Sequence, residues 1–199
     1  MANAGALRNI SGNNSWDGPI QLNNSAALTI ASDSGDLKLR GVITQTGGVP
    51  PTFQGNGHIF IVGGMNGGFT RGSGSGDVLV NSANVVTGDV TVSASAVGAF
   101  KVEGVLLGNV TMNGGQLTGT GSVNQVTVNS GTLSPGANGV TRLGMSALTI
   151  NGGAYQWTIT NATGTAGVNW DLLTVGGGAG AVDLSGAGTG SITVRLHSA

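Results

Sequence analysis

Short apolar–polar–apolar triplets, each followed by an Asn/Gly turn, recur along this chain. Val110-Thr111-Met112 runs into Asn113-Gly114-Gly115, and the pattern returns as Val126-Thr127-Val128 running into Asn129-Ser130-Gly131. Leu148-Thr149-Ile150 with Asn151-Gly152-Gly153 follows at a slightly longer interval, and Val90-Thr91-Val92 is the preceding copy. Looser echoes are Leu28-Thr29-Ile30, Leu37-Lys38-Leu39, Leu173-Thr174-Val175 and Ile192-Thr193-Val194. A period of two places both aliphatics of a triplet on one side of a strand and the middle residue on the other. Val110, Met112, Val126, Val128, Leu148 and Ile150 are therefore predicted to point inward, with Thr111, Thr127 and Thr149 outward. Asn113, Gly114, Asn129, Gly131, Asn151 and Gly152 are predicted to turn the chain into its next face, because Asn and Gly adopt left-handed backbone at low steric cost. No stretch sustains a helical period, so almost no helix is expected.

The repeat length, roughly 20 residues, is that of one solenoid coil. One coil cannot bury its own aliphatics, whereas stacked coils set Val on Val and pair each backbone with its neighbours. The predicted fold is all-β: a right-handed parallel β-helix (β-solenoid), with residues 1–199 forming a single rod-like segment. It would hold roughly eight to ten coils at about 20 residues each. At about 4.8 Å between strands the rod would be roughly 40–48 Å long. Asn113, Asn129 and Asn151 are placed to stack as an amide ladder. The clearest repeats span 105–176. Residues 44–77, with Gly47-Gly48, Pro50-Pro51, Gly63-Gly64, Gly67-Gly68 and Gly72-Ser73-Gly74-Ser75-Gly76, read as larger loops around a buried strand, Ile59-Phe60-Ile61-Val62.

Composition narrows the function classes. Charged residues make up 8% of the chain and glycine contributes 39 positions, with little proline and no collagen period. A mean hydropathy of +0.20 is too apolar for simple disorder. Seven cations spread from Arg8 to Arg195, with a net charge of −1, form neither a phosphate track nor a polybasic membrane patch. No nucleic-acid partner is expected, and without a long unbroken apolar run no membrane insertion by this segment. The chain has no cysteine, which removes thiolate chemistry and suits passage through an oxidising compartment. Met1-Ala2-Asn3-Ala4 lacks the charged and apolar regions of a signal peptide, so any export signal is expected outside these residues.

Several phrases resemble the autotransporter-associated β-strand repeats and passenger-associated transport repeats of Gram-negative passenger domains. The opening, Gly5-Ala6-Leu7-Arg8-Asn9 with Ser11 to Gly18, is one. Ser82 to Val92 is another, departing at Val85 and Val86 where Thr and Tyr are usual. Leu117 to Gly136, with its Leu-x-Gly-x-Gly and Ser-Pro-Gly elements, and Trp170 to Val175, an aromatic and Asp before an apolar strand, are the closest. The resemblance implies a parallel β-helix passenger, secreted through the outer membrane, associated with adhesion, aiding export by folding outside the cell, and not catalytic. The expected location is extracellular or on the bacterial cell surface. No C-terminal barrel is read here, and a surface or glycan ligand is left unspecified.

Parallel β-helices also host carbohydrate-active enzymes and carbohydrate-binding proteins, which is the alternative reading. Catalysis there needs clustered carboxylates. Asp33 and Asp36 flank a Ser34-Gly35 turn, which explains them without chemistry. Asp17 and Asp36 are about one repeat apart in sequence and are candidates to stack on adjacent coils. Asp17, Asp33, Asp36 and Asp171 are not expected to converge in one cleft. Gly72 to Val80 partly matches a calcium-binding nonapeptide, but with Ser where Gly is needed and in a single copy. The same Gly-Ser-Gly-Ser-Gly has the letters of a nucleophile elbow without its strand–turn–helix setting. His58 and His197 have no partner signature. Trp157 reads as packing, and Trp16, in a polar turn, as the more exposed aromatic. The Thr91, Thr111, Thr127 and Thr149 series raises an ice-binding face, but one Thr per strand at uneven spacing favours ordinary β-propensity. No enzyme, cofactor or metal site is expected.

Neither end shows a polar or helical cap, so end-to-end self-association is expected. Val128→Asp is expected to abolish cooperative unfolding in a circular-dichroism melt, because a lone buried charge has no partner. The neighbouring Thr127→Asp is expected to fold.

Overall fold

The computed structural model describes residues 6–23, 25–136, 139–177, 181–188 and 192–198. Among them the secondary structure is all β, without helix, in a strongly curled sheet of mostly parallel strands. Most strands are short, and each pairs in parallel with the strands about one repeat before and after it. Three ladders result.

The first ladder runs through Leu7–Asn9, Thr29–Ser32, Thr52–Gln54, Phe69–Arg71 and Val90–Val92. It continues through Val110 to Met112, Val126 to Val128, Leu148 to Ile150 and finally Val182–Asp183. The second contains Asn14–Trp16, Asp36–Leu39, His58–Ile61, Val78–Val80 and Ala99–Val102. It ends with Gly153–Ile159 and Ile192–Ser198. The third contains Ile20–Leu22, Ile43–Gln45, Met65–Asn66, Val85–Val86 and Val105–Leu106, and later Leu172–Val175. The longer strands Val110–Thr118, Ser122–Leu133 and Arg142–Ile150 bend and serve more than one ladder.

In-register pairing turns the sequence repeat into columns. Leu7, Ile30, Phe53, Arg71, Val92, Met112, Val128 and Ile150 form one inward column of the first ladder. Beside it, half-buried Thr29, Thr52, Thr70, Thr91, Thr111, Thr127 and Thr149 form an outer column. Val110, Met112, Val126, Val128, Leu148 and Ile150 are all buried. Phe69 stacks on Phe53 with centroids 4.7 Å apart and meets the edge of Phe100 at 5.5 Å, filling the middle of the core. The echoes Leu173-Thr174-Val175 and Ile192-Thr193-Val194 fall on the third and second ladders, so they are not copies of the Val-Thr-Val strands.

Residues 44–77 are not a loop insertion. Thr52–Gln54, His58–Ile61, Met65–Asn66 and Phe69–Arg71 lie in the three ladders, and only Ile59 and Ile61 of the apolar run are buried, with Phe60 half-exposed. The glycines are there because successive corners touch. A Cβ on Gly35 would lie 2.4 Å from the Gly12 carbonyl oxygen, one on Gly57 2.4 Å from Gly35 O, one on Gly76 1.9 Å from Gly57 O and one on Gly98 2.2 Å from Gly76 O.

The Asn turns are bends within or between strands. Asn129 Nδ2 donates to Asn113 Oδ1 at 2.9 Å, and Asn151 Nδ2 to Asn129 Oδ1 at 2.8 Å, so the amides form a ladder. Left-handed backbone occurs at Gly131, φ 94°, as expected. At the other two turns it falls one residue later than Gly114 and Gly152, on Gly115 and Gly153.

Gly76→Ala forces a backbone–backbone clash, and its cost is expected near the upper end of the overpacking range, about 3 kcal/mol. That corresponds to a melting temperature lower by roughly 6–12 °C for a chain of this size. Gly48 has nothing within 4 Å of its notional Cβ, and Gly48→Ala is expected to melt with the wild type.

Candidate functional site

Alternation in the second ladder places Lys38, Phe60, Leu79 and Lys101 side by side on its outer face, between pairs of buried residues such as Leu37 and Leu39 or Ile59 and Ile61. Arg40, Val62, Asn81 and Glu103 follow one step along the same strands, each amide hydrogen-bonding to the repeat before. His58 and Asp77 stand at the opposite edge. The half-exposed Phe60 and Leu79 separate two open depressions. One, about 220 Å³, is lined by His58, Phe60, Asp77, Leu79 and Lys101. The other, about 420 Å³, includes Lys38, Arg40, Val62, Asn81 and Glu103.

Asp77 organises this face. Its Oδ2 pairs with Lys101 Nζ at 2.6 Å and lies 3.7 Å from His58 Nδ1. Its Oδ1 accepts the Ala99 amide at 2.8 Å, while its own amide donates to His58 Nδ1 at 3.0 Å. Partial burial pushes the Asp77 carboxyl up. The Lys101 hydrogen bond and charge, the Ala99 amide and the proximity of His58 outweigh it and hold the pKa below the ordinary 3.8. Lys38 Nζ sits 5.7 Å from the Phe60 ring centroid, a cation–π arrangement. The result is an apolar strip rimmed by charge, a surface able to bind and orient a ligand.

The carboxylates singled out by sequence lie apart. Asp33 is paired with Arg8 at a corner. Asp17 lies beside Arg40, 3.7 Å from its Nε, so it does not stack on Asp36, whose amide donates to Asn13 Oδ1. Asp171 is buried and accepts the Thr141 and Thr158 amides, each at 2.8 Å. Among the described residues no three His, Cys, Asp or Glu side chains are grouped to hold a metal ion. Trp157 donates its indole N–H to the Asp171 carbonyl at 2.9 Å, and Trp170 is half-buried nearby. Trp16 is 47% exposed, and His197 is exposed on the closing strand.

Arg71 escaped the sequence reading. It is fully buried in an inward column between Phe53 and Val92. Its guanidinium donates to the carbonyls of Gly72, Ser73, Gly74 and Gly76, so the Gly-Ser-Gly-Ser-Gly stretch is a corner wrapped on a cation. Burial lowers the Arg71 pKa, with Asp77 opposing the shift. The available signal was the alternation Phe69-Thr70-Arg71, which points the arginine inward with a carbonyl-rich loop directly after it.

The chain matches no protein-family model, and neither the curated proteins nor the solved structures compared with it give a match.

A depressed carboxyl pKa contributes stability that is present above the unfolded-state value and is lost as pH falls through the native one. Asp77→Asn is therefore expected to be less stable than wild type at pH 7. The gap should narrow as pH falls below about 3.8. Urea denaturation of both proteins at a series of pH values checks this; a gap that widens towards acid would contradict the assignment.

Proposed function

We propose that this chain is a right-handed parallel β-helix serving as a structural and adhesive stalk in an exported bacterial surface or secreted protein, in the manner of an autotransporter passenger that aids export by folding outside the cell. The observation that carries the reading is the three in-register parallel ladders around one continuous apolar core, the arrangement in which each repeat is completed by its neighbours. The two stretches most similar to passenger repeats also meet in space. Asp171, from the Trp-Asp phrase, accepts the Thr158 amide, and the Thr158 hydroxyl donates to Gly136 O of the Ser-Pro-Gly phrase at 3.3 Å. Thr118 Oγ1 donates to the neighbouring Pro135 O at 3.1 Å.

The dispersal of the carboxylates supports a non-catalytic role. A cysteine-free chain whose repeats stack one on the next suits passage in an unfolded form and sequential folding on the far side. The outer face around Phe60 favours one further reading, carbohydrate binding, since an aromatic ring flanked by His58, Asp77 and Asn81 offers stacking together with hydrogen bonds. Binding to a glycan array lost in Phe60→Ala would support it.

Antibody raised against the chain is expected to label intact cells of the producing bacterium, or its culture medium, before any permeabilisation. Detection only after lysis would overturn the surface assignment.

A further inference from the structure

The two depressions beside Phe60 belong to a longer feature. Register carries the outer column of the second ladder on from Lys38, Phe60, Leu79 and Lys101 to Thr118. A third depression, about 380 Å³, opens there, and Lys101, Glu103, Thr118, Thr120 and Thr141 line it. Lys101 also lines the depression beside His58, and Glu103 the one beside Arg40. The three hollows therefore share walls and follow one another down a single face of the stack. At about 4.8 Å per strand, Lys38 to Thr118 is roughly 19 Å.

The middle of this face is apolar, formed by the half-buried Phe60, Val62 and Leu79. Polar groups surround it: the His58 ring and the Asn81 amide near Phe60, and threonine hydroxyls in the third hollow. The charges balance. Lys38, Arg40 and Lys101 stand against Asp17, Asp36, Asp77 and Glu103. Asp77 pairs with Lys101, Asp17 lies 3.7 Å from Arg40, and Asp36 is in register with His58. Backbone is not on offer. His58–Ile61 and Val78–Val80 each pair on both sides, so an added peptide strand would find no free edge here.

Resting on the carbohydrate reading of the Phe60 face, we propose that the three hollows form one groove for a neutral polysaccharide, several sugar units running along the stacking direction of the strands. The apolar middle takes the flat face of a sugar ring, and the polar groups beside it take hydroxyls and fix the register. A single sugar would fill one hollow and leave the shared walls at Lys101 and Glu103 without a role. A strongly acidic chain would pass four carboxylates and a basic one three cations, and like charges set against one another are costly.

Calorimetric titration tests it, with cello-, xylo-, manno- and chito-oligosaccharides of two and six units and oligogalacturonates of the same lengths. At least one neutral hexasaccharide is expected to bind about tenfold more tightly than its disaccharide, the worth of one further good hydrogen bond, and more tightly than any oligogalacturonate. Phe60→Ala is expected to lose binding at both lengths. Thr120→Arg, at an exposed position in the third hollow, is expected to reduce the hexasaccharide to the affinity of the disaccharide. Val97→Lys, at a 75% exposed site outside the groove, is expected to bind as the wild type does. Thermal melts verify folding, and Thr120→Glu replaces Thr120→Arg if the latter does not fold. Equal affinity at the two lengths, or a hexasaccharide indifferent to the Thr120 substitution, overturns the groove and leaves Phe60 as a single-sugar site. Tighter binding of an oligogalacturonate overturns it in favour of an anion site at Lys38 and Arg40. Failure of every sugar to bind overturns the carbohydrate reading itself, and the groove with it.

Discussion

The structure depends on parallel, in-register stacking at one fixed spacing. Each repeat lies about 4.8 Å from the next. Every side chain is therefore judged against its counterpart one repeat away rather than against its neighbours in sequence. A threonine column, an amide ladder and a line of glycines are three outcomes of that constraint. Threonine packs on threonine along a pleated face. Asn129 donates to Asn113 and accepts from Asn151, so each amide satisfies the next. At the corners the backbone itself fills the gap. A Cβ at Gly57 or Gly76 would penetrate the carbonyl beneath it, which is why glycine recurs there even where φ does not demand it.

Corners create the opposite problem for polar groups. Where the chain leaves one ladder and has not yet joined the next, carbonyls and amides lose their ladder partners, and a buried unpaired group costs about 1–3 kcal/mol. Three side chains answer this by different chemistry. Asn9 Nδ2 donates to Gly12 O, Ser34 O and Asp36 O. Arg71 gathers four carbonyls. Asp171 works from the other side and accepts two amides. Each is buried, and none is arranged to react. Among the described residues, Ser134 Oγ and Arg71 Nε are the buried side-chain atoms left without a partner, and both lie at such corners.

This division explains what the sequence made legible. The Val-Thr-Val strands could be read because their columns hold nearly the same residues, so repetition survives in one dimension. The second ladder was read only as separate pieces, Leu37-Lys38-Leu39 as a loose echo and Ile59 to Val62 as a strand among loops, because its outer position changes from Lys38 to Phe60 to Leu79 to Lys101 and hides that the strands are equivalent in space. The glycine-rich stretch 44–77 read as loops because the reason for each glycine is a carbonyl in the adjoining repeat. Arg71 was invisible for a related reason: its partners are local, but its burial is set by Phe53 and Val92 in the adjoining repeats. The suggested stacking of Asp17 on Asp36 fails for the same kind of reason, since repeats of uneven length move Asp17 off Asp36 and onto Arg40.

Stacking also accounts for the shortage of charge. In a stack of near-identical repeats, a charge placed once in the repeat recurs directly opposite itself, and like charges opposite one another across strands are destabilising. The outer face of the second ladder bears charges only in arrangements that avoid this. Asp17 meets Arg40, Asp77 lies between His58 and Lys101, and Lys38 is separated from Lys101 by the uncharged Phe60 and Leu79. From Thr29 to Thr149 the outer column of the first ladder takes the alternative and presents neutral Thr, with Asp183 following at its end. The third exposes Val42, Val85, Val105 and Leu107 instead. Inward and corner positions are thus held by neighbouring repeats, while outward positions answer only to the charges beside them. Any recognition chemistry this chain carries must be written in that outward set, and the Phe60 face is where the greatest chemical variety has been admitted.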